Sequence, residues 1–209
     1  YLMLFQIKNL EYSLNKKLIL KNLDFILKES NHLLIIGPSG SGKTTLINLM
    51  AGLLKPTNGQ IIFEDKEYNS LPEEQIDNIR LNNFGFIFQK LYLMNHLTVE
   101  QNIQLAMQKS DKNFINVLLH NLNLKEHKKK IASELSFGEA QRVAIARGVA
   151  NKPKVIFADE PTSALDDKNV ENVIKLIFAQ ANHNKSTLIV STHDSRIQKF
   201  FKNILKVSL

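Results

Sequence analysis

Cysteine is absent from this chain of 209 residues, which excludes disulfides and any metal site built on thiolates. The six histidines, at 32, 96, 120, 127, 183 and 193, show no HExxH or comparable ligand pairing, so any metal that takes part arrives with a ligand. The longest uncharged apolar runs fall far short of the ~20 residues that a membrane-crossing helix needs. No signal-peptide pattern opens the chain, and no internal repeat, low-complexity tract or linker interrupts it. These absences lead us to expect a soluble, cytoplasmic protein with no disordered region, a single domain or a domain with a subdomain, long enough to bury a large core. The net charge is +7, but Lys and Asn are abundant throughout, as in a product of A/T-rich codons. The one dense basic cluster, Lys125 to Lys130, contains Glu126 and His127 and no aromatic residue. It reads as a solvated face, and we expect no nucleic-acid partner.

Against that background one stretch stands out: Gly37-Pro38-Ser39-Gly40-Ser41-Gly42-Lys43-Thr44-Thr45, after the apolar run Leu33–Ile36 and before Leu46-Ile47-Asn48-Leu49-Met50-Ala51. Glycines 37, 40 and 42 let the backbone curl so that successive N–H groups face inward at a helix N-terminus, which makes a phosphate nest. Lys43 supplies a point charge for the β and γ phosphates, and the Thr44 hydroxyl suits the inner shell of Mg²⁺.

Residues 4 to 27 read as two alternating strands joined at Asn15-Lys16-Lys17, an antiparallel layer leading into strand 33–36. After Gly52, the turn Pro56-Thr57-Asn58-Gly59 precedes a strand Gln60–Phe63, and Phe84–Phe88 is another, ending at Gln89. From Leu97 to about Leu124 apolar residues recur every three or four positions (Val99, Ile103, Ala106, Ile115, Leu118, Leu119, Leu122), which predicts helix. Gly138 to Ala150 is a further helix, stopped by Asn151 and Pro153; strand Val155–Ala158, helix Lys168–Ala181 and strand Thr187–Thr192 follow. A short helix and a strand Ile204–Val207 are expected after His193. The β-α-β alternation implies a mostly parallel sheet covered by helices, an α/β fold.

Val155–Ala158 runs into Asp159-Glu160, so a buried strand delivers two carboxylates to the sheet edge where ligands of open α/β folds bind. Asp159 is placed to hold Mg²⁺ directly or through water, and Glu160 to act as general base on the attacking water.

The motif Leu135-Ser136-Phe137-Gly138-Glu139, followed by Ala140-Gln141-Arg142 and a helix, resembles the signature of ATP-binding cassette (ABC) ATPases, usually LSGGQ or LSGGE and then QR. The resemblance covers essentially the whole chain and implies a P-loop NTPase of ABC type: a mixed, mostly parallel core sheet, an antiparallel β layer and a helical signature subdomain. It implies one domain, 1–209, with 1–88 and 153–209 as the core and about 90–150 as the helical part. Gln89 then matches the Q-loop glutamine, a Mg²⁺ ligand, Ser163-Ala164-Leu165-Asp166 the D-loop, and His193 the switch histidine that contacts the γ-phosphate. The family sandwiches two ATP molecules between head-to-tail domains, so Ser136, Phe137, Gly138, Glu139 and Asp166 would serve the nucleotide of a second copy. ATP and Mg²⁺ are the implied cofactors. A homodimer, or a pairing with a similar cassette, and integral membrane permease subunits are the implied partners, with the chain peripheral on the cytoplasmic face of the membrane.

Two positions depart from the family pattern. An aromatic residue usually stacks on adenine, but here Leu14 falls at that position, with Tyr12 two residues earlier on the same face. Either Tyr12 takes over or adenine rests on Leu14, and Tyr12 also fits a buried sheet residue. Phe137 stands where Gly is common. The apolar segment Lys90–Ile103 lies where the family docks a coupling helix from the membrane subunit, and its phrasing resembles the lipoprotein-releasing, macrolide-exporting and cell-division subgroup (LolD-, MacB- and FtsE-like). This leans toward export or lipoprotein release. The alternatives are force transmission as in cell-division ATPases, and a non-transport ABC ATPase acting on nucleic acid or the ribosome; the latter relatives usually carry a coiled-coil insertion or a second cassette, which this chain lacks.

Overall fold

The computed structural model describes residues 2–163 and 165–208. Two sheets form from the described residues. In the first, β1 (Met3–Leu14), β2 (Lys17–Lys28), β4 (Asn58–Phe63) and β5 (Lys66–Glu67) pair antiparallel in the order β2-β1-β4-β5. In the second, β3 (Leu33–Ile36), β6 (Phe84–Ile87), β7 (Val155–Asp159), β8 (Thr187–Thr192) and β9 (Asn203–Lys206) lie in the order β6-β7-β8-β3-β9, every pair parallel. Helices α1 (Lys43–Met50), α2 (Glu73–Asn83), α3 (Val99–Gln104), α4 (Lys112–Asn121), α5 (Phe137–Val149) and α6 (Asp167–Asn184) complete the regular structure.

The period of two along a strand sorts the core into two layers. Leu33, Ile35, Val155, Phe157 and Ile189 face the antiparallel sheet, α1 and α2. Their neighbours Leu34, Ile156, Ala158, Leu188 and Val190 face α3, α4, α5 and α6. Both faces of the parallel sheet are covered, which is why its strands read as continuous apolar runs. An aromatic column joins the sheets: Phe5 and Phe63 have ring centroids 5.0 Å apart, Phe63 and Phe84 5.0 Å, Phe84 and Phe157 5.3 Å. Truncating the buried Phe157 to Ala would remove one end of that column at a cost of roughly 3–5 kcal/mol.

Three expectations from sequence change. The helical stretch 97–124 is broken into α3 and α4, because the polar run Gln108-Lys109-Ser110-Asp111 offers local partners instead: Gln108 N–H donates to Asn151 Oδ1 at 3.1 Å and Asp111 caps α4 by accepting the Phe114 N–H at 2.9 Å. Thr98 and Gln101 form a capping box that starts α3. The segment after His193 is a 3₁₀ helix, Ser195–Phe200, held by the Asp194 side chain accepting the Arg196 N–H, and the last strand begins at Asn203. Finally, α2 and β5 were not anticipated: α2 buries only Ile76 and Ile79, so it carries too thin an apolar stripe to read.

Candidate functional site

Strand order decides which loops meet. Reading along the C-terminal edge of the parallel sheet, β6 leads to Gln89, β7 ends in Asp159 and leads to Glu160, β8 leads to His193, and β3 leads into the glycine loop. Four segments distant in sequence thus line one edge, the place where parallel sheets bind ligands.

The loop winds into α1 with Gly42 as N-cap at φ +94 and Gly40 at φ +80, left-handed angles that favour glycine. Gly37 is required for a different reason: a Cβ there would lie 2.1 Å from the Val207 carbonyl oxygen, because the chain past β9 backs directly onto the loop. The buried Lys43 curls over the hollow, its Nζ donating to the carbonyl oxygens of Gly37 and Pro38, each at 3.0 Å. The same ammonium stands 3.7 Å from Glu160 Oε1. The Ser41 hydroxyl is fully buried in this loop with no hydrogen-bond partner among the described residues, and a phosphate oxygen is the kind of acceptor that would satisfy it.

Thr44 Oγ1 reaches the two Asp159 carboxylate oxygens at 3.1 and 2.9 Å, and Ser191 Oγ donates to Asp159 Oδ1. This is a hard-oxygen set with few protein ligands, matching Mg²⁺ carried by a phosphate ligand. No cluster of three His, Cys, Asp or Glu side chains able to hold a metal occurs among the described residues. Gln89 is exposed at the same edge and hydrogen-bonds to none of these groups.

Glu160 leaves the strand at φ +48, a left-handed angle that is strained for a glutamate by about 1–3 kcal/mol and concentrates at functional sites. Its N–H donates to the Ser191 carbonyl at 2.8 Å. The carboxylate, 12% exposed, is aimed by its neighbours: Oε2 accepts from Thr192 Oγ1 at 2.9 Å and from the His193 N–H at 3.4 Å, and Oε1 lies 3.0 Å from His193 Nδ1. His193 itself is 58% exposed, free on its other side to meet a ligand. One step further, Asp194 takes hydrogen bonds from Thr162 Oγ1 and from the Arg196 guanidinium, which holds its carboxyl below the usual range.

The structure does not bring the 136–139 motif to this edge within one chain. Ser136 caps α5 and Glu139 closes a capping box: the Ser136 N–H donates to Glu139 Oε2 at 2.7 Å and the Glu139 N–H donates to Ser136 Oγ at 3.4 Å. His127 Nε2 and Lys130 Nζ flank the same carboxylate at 2.7 and 3.5 Å. The Ser136 N–H above all, with help from Lys130 and His127, holds the Glu139 carboxyl down at about 2. Glu139 is therefore engaged with its own helix, while Ser136 and Gly138 are exposed on either side of Phe137, which is 58% exposed. Asp166 caps α6, accepting the Asn169 N–H at 3.0 Å; within the stretch 163–166, Ala164 lies outside the described residues.

Tyr12 is half-buried against the core beside β2, and Leu14 is 54% exposed. Near Gln89, Phe88, Tyr92 and Met94 are exposed, and a groove of about 530 Å³ opens between Phe86, Phe88, Tyr92, Ala106 and Arg147. Arg147 pins this segment by donating to the carbonyls of Leu91 and Tyr92 at 2.6 and 2.5 Å. Reasoning from sequence missed Ser191 and Thr192, the hydroxyls that orient Asp159 and Glu160; their signal was a strand ending in two hydroxyl residues immediately before His193.

Comparison with known proteins points to one family. The family model of ABC transporters matches residues 20–163. The lipoprotein-releasing system ATP-binding protein LolD of Buchnera aphidicola is 38% identical over 195 residues, covering 90% of this chain and 86% of that protein. A putative ABC transporter ATP-binding protein of Mycoplasma pneumoniae is 37% identical over 194 residues, 91% of this chain but 42% of the relative's own length. Among solved structures, a cassette of Methanocaldococcus jannaschii, a dimer in a post-hydrolysis state bound to ADP and phosphate, superposes with a TM-score of 0.83 at 32% identity over 98% of this chain and 94% of that one.

Proposed function

Since the chain belongs to the ABC transporter family of ATP-binding proteins and is an ATPase of that family, we propose that it works as a head-to-tail dimer whose closing and reopening moves separate membrane subunits at the cytoplasmic face. The carrying observation is the division of labour just described. Lys43, Thr44, Asp159, Glu160 and His193 converge on one sheet edge, whereas Ser136 and Gly138 are exposed at the start of α5 and hydrogen-bond to none of these groups. One chain supplies half of a site and a second copy supplies the other half.

In this reading residues 37–45 wrap the phosphates, and Lys43 exchanges its loop carbonyls for the β and γ phosphate oxygens. Thr44 and Asp159 would hold Mg²⁺, which supplies charge neutralisation on the phosphates. Glu160 takes a proton from water as the water oxygen attacks the γ-phosphorus and the bond to the β–γ bridging oxygen breaks, releasing ADP and phosphate. His193, fixed against Glu160, positions the γ-phosphate from its exposed side. The Ser136 hydroxyl and the first amides of the partner's α5 complete the charge stabilisation. Gln89 joins this site only through movement of its loop, which places it between the nucleotide and the groove beside Phe88 and Tyr92, where a helix from the membrane subunit would dock. Residues of about 90–150 then form the moving helical part against a core of 1–88 and 153–209. Leu14 and Tyr12 flank the adenine position, with Leu14 the more accessible of the two. Relatives that carry lipoprotein-releasing names favour lipoprotein release or export as the output.

The test is Glu160→Gln, followed by hydrolysis assay and by size-exclusion chromatography with and without ATP and Mg²⁺. Removing the base is expected to cut turnover by ~10²–10⁴ and to trap a dimer seen only with ATP. Hydrolysis at the parent rate would overturn the assignment of Glu160, and a monomer under every condition would overturn the composite site.

A further inference from the structure

Gln141 has no task in the mechanism above, yet it is one of the few polar side chains buried in the core. It is 7% exposed on α5, among Val143, Ala144 and Ile145, and its Nε2 donates to the Pro161 carbonyl oxygen at 2.9 Å. A buried amide must find such a partner, and in doing so it fixes where the partner sits.

Pro161 directly follows Glu160, the residue held at φ +48. The turn 160–163 is fastened from two sides. From β8 and the residues after it, the Ser191 carbonyl takes the Glu160 N–H at 2.8 Å and Asp194 takes the Thr162 hydroxyl at 3.2 Å. From the helix side, the fastening is Gln141. A left-handed glutamate persists only where its surroundings over-determine it. Releasing one side would let the turn relax and swing the carboxylate away from Lys43.

We propose that Gln141 is a positioning residue for Glu160: it locks the turn from α5 so that the carboxylate keeps its aim at the attacking water. Because Gln141 and Ser136 belong to one rigid helix segment, the same lock ties the base of one site to the helix end that serves the other. The inference rests on the assignment of Glu160 as base.

The experiment measures steady-state ATP hydrolysis by the full chain and by Gln141→Leu, Gln141→Glu and Glu160→Gln, with ATP-analogue-dependent dimerisation alongside. Gln141→Leu keeps the bulk and loses the donor. Its kcat is expected to fall roughly tenfold to a hundredfold, as for a small misplacement of a catalytic group. KM for ATP and dimerisation stay within about twofold, since ground-state binding is untouched. In Gln141→Glu the protonated carboxyl still donates to Pro161, but the carboxylate opposes it. The ratio of its kcat to that of the parent therefore rises as pH is lowered. If Gln141→Leu fails to fold, this pH profile decides, and a ratio flat with pH overturns the inference. A Gln141→Leu enzyme at the parent kcat beside an inactive Glu160→Gln overturns the role of Gln141 alone. Parent-level activity in Glu160→Gln overturns the base assignment itself.

Discussion

The sheet edge and the N-terminus of α5 are the two regions on which the proposed function rests, and they are built in opposite ways. At the edge, every charged group leans on another: Lys43 on the loop carbonyls and Glu160, Thr44 and Ser191 on Asp159, Thr192 and His193 on Glu160. Strands paired in parallel register, β6 to β7, β7 to β8 and β8 to β3, bring these contacts together. At α5 a single helix end is stabilised by its own Glu139, with His127 and Lys130 behind it, and its outer side carries the exposed Phe137. The first region is held by contacts between distant segments of the chain; the second is held by contacts local to its own helix end.

Mixing variants breaks or confirms that contrast most sharply. Lys43→Ala should abolish hydrolysis, a loss of at least ~10²–10³ for removing a charge that stabilises the transferring phosphoryl group. Ser136→Ala alone should also be strongly impaired. Mixed together, the two variants can form one intact composite site, Lys43 from one chain with Ser136 from the other, so activity should recover. No recovery in the mixture would mean that the two regions serve the same chain. Next in size, Ser136→Ala removes the side-chain cap of α5 and should lower the unfolding free energy by about 1 kcal/mol, read by denaturant titration of the monomer. Phe137→Gly should weaken the ATP-dependent dimer several-fold, as expected when an exposed aromatic leaves an interface; analytical ultracentrifugation at several protein concentrations measures it.

The smallest effect is in acid. The Glu139 carboxyl is held from an ordinary 4.5 down to about 2 in the folded chain, so its contribution to stability is fully present above about 4.5 and is lost as pH falls toward 2. The stability difference between the parent and Glu139→Gln should therefore shrink over that window and vanish below it; a difference that grows toward low pH would contradict the cap.

Local signals made the edge legible. Glycines 37, 40 and 42 with Lys43 announce a loop by spacing, and the Val155–Ala158 run announces a buried strand that ends in Asp159 and Glu160. Each of those signals is contained within a few neighbouring residues of the chain. What was not legible depends on register between distant strands: Ser191 faces Asp159 because β7 and β8 pair those two residues directly, and Gln141 meets Pro161 because α5 packs over the sheet. The same limit explains the break between α3 and α4, decided by the Asn151 side chain some forty residues downstream. It also explains α2, whose two buried isoleucines are recognised as core only once β4 and α1 surround them.

The backing of Gly37 by Val207 has a consequence for synthesis. The phosphate loop is made early, but β9 pairs with β3, and the Val207 N–H donates to the Ile36 carbonyl at 2.9 Å. On the ribosome, the loop therefore stays unsupported on that side until β9 has left the exit tunnel. A nascent chain stalled before β9 emerges should bind nucleotide poorly.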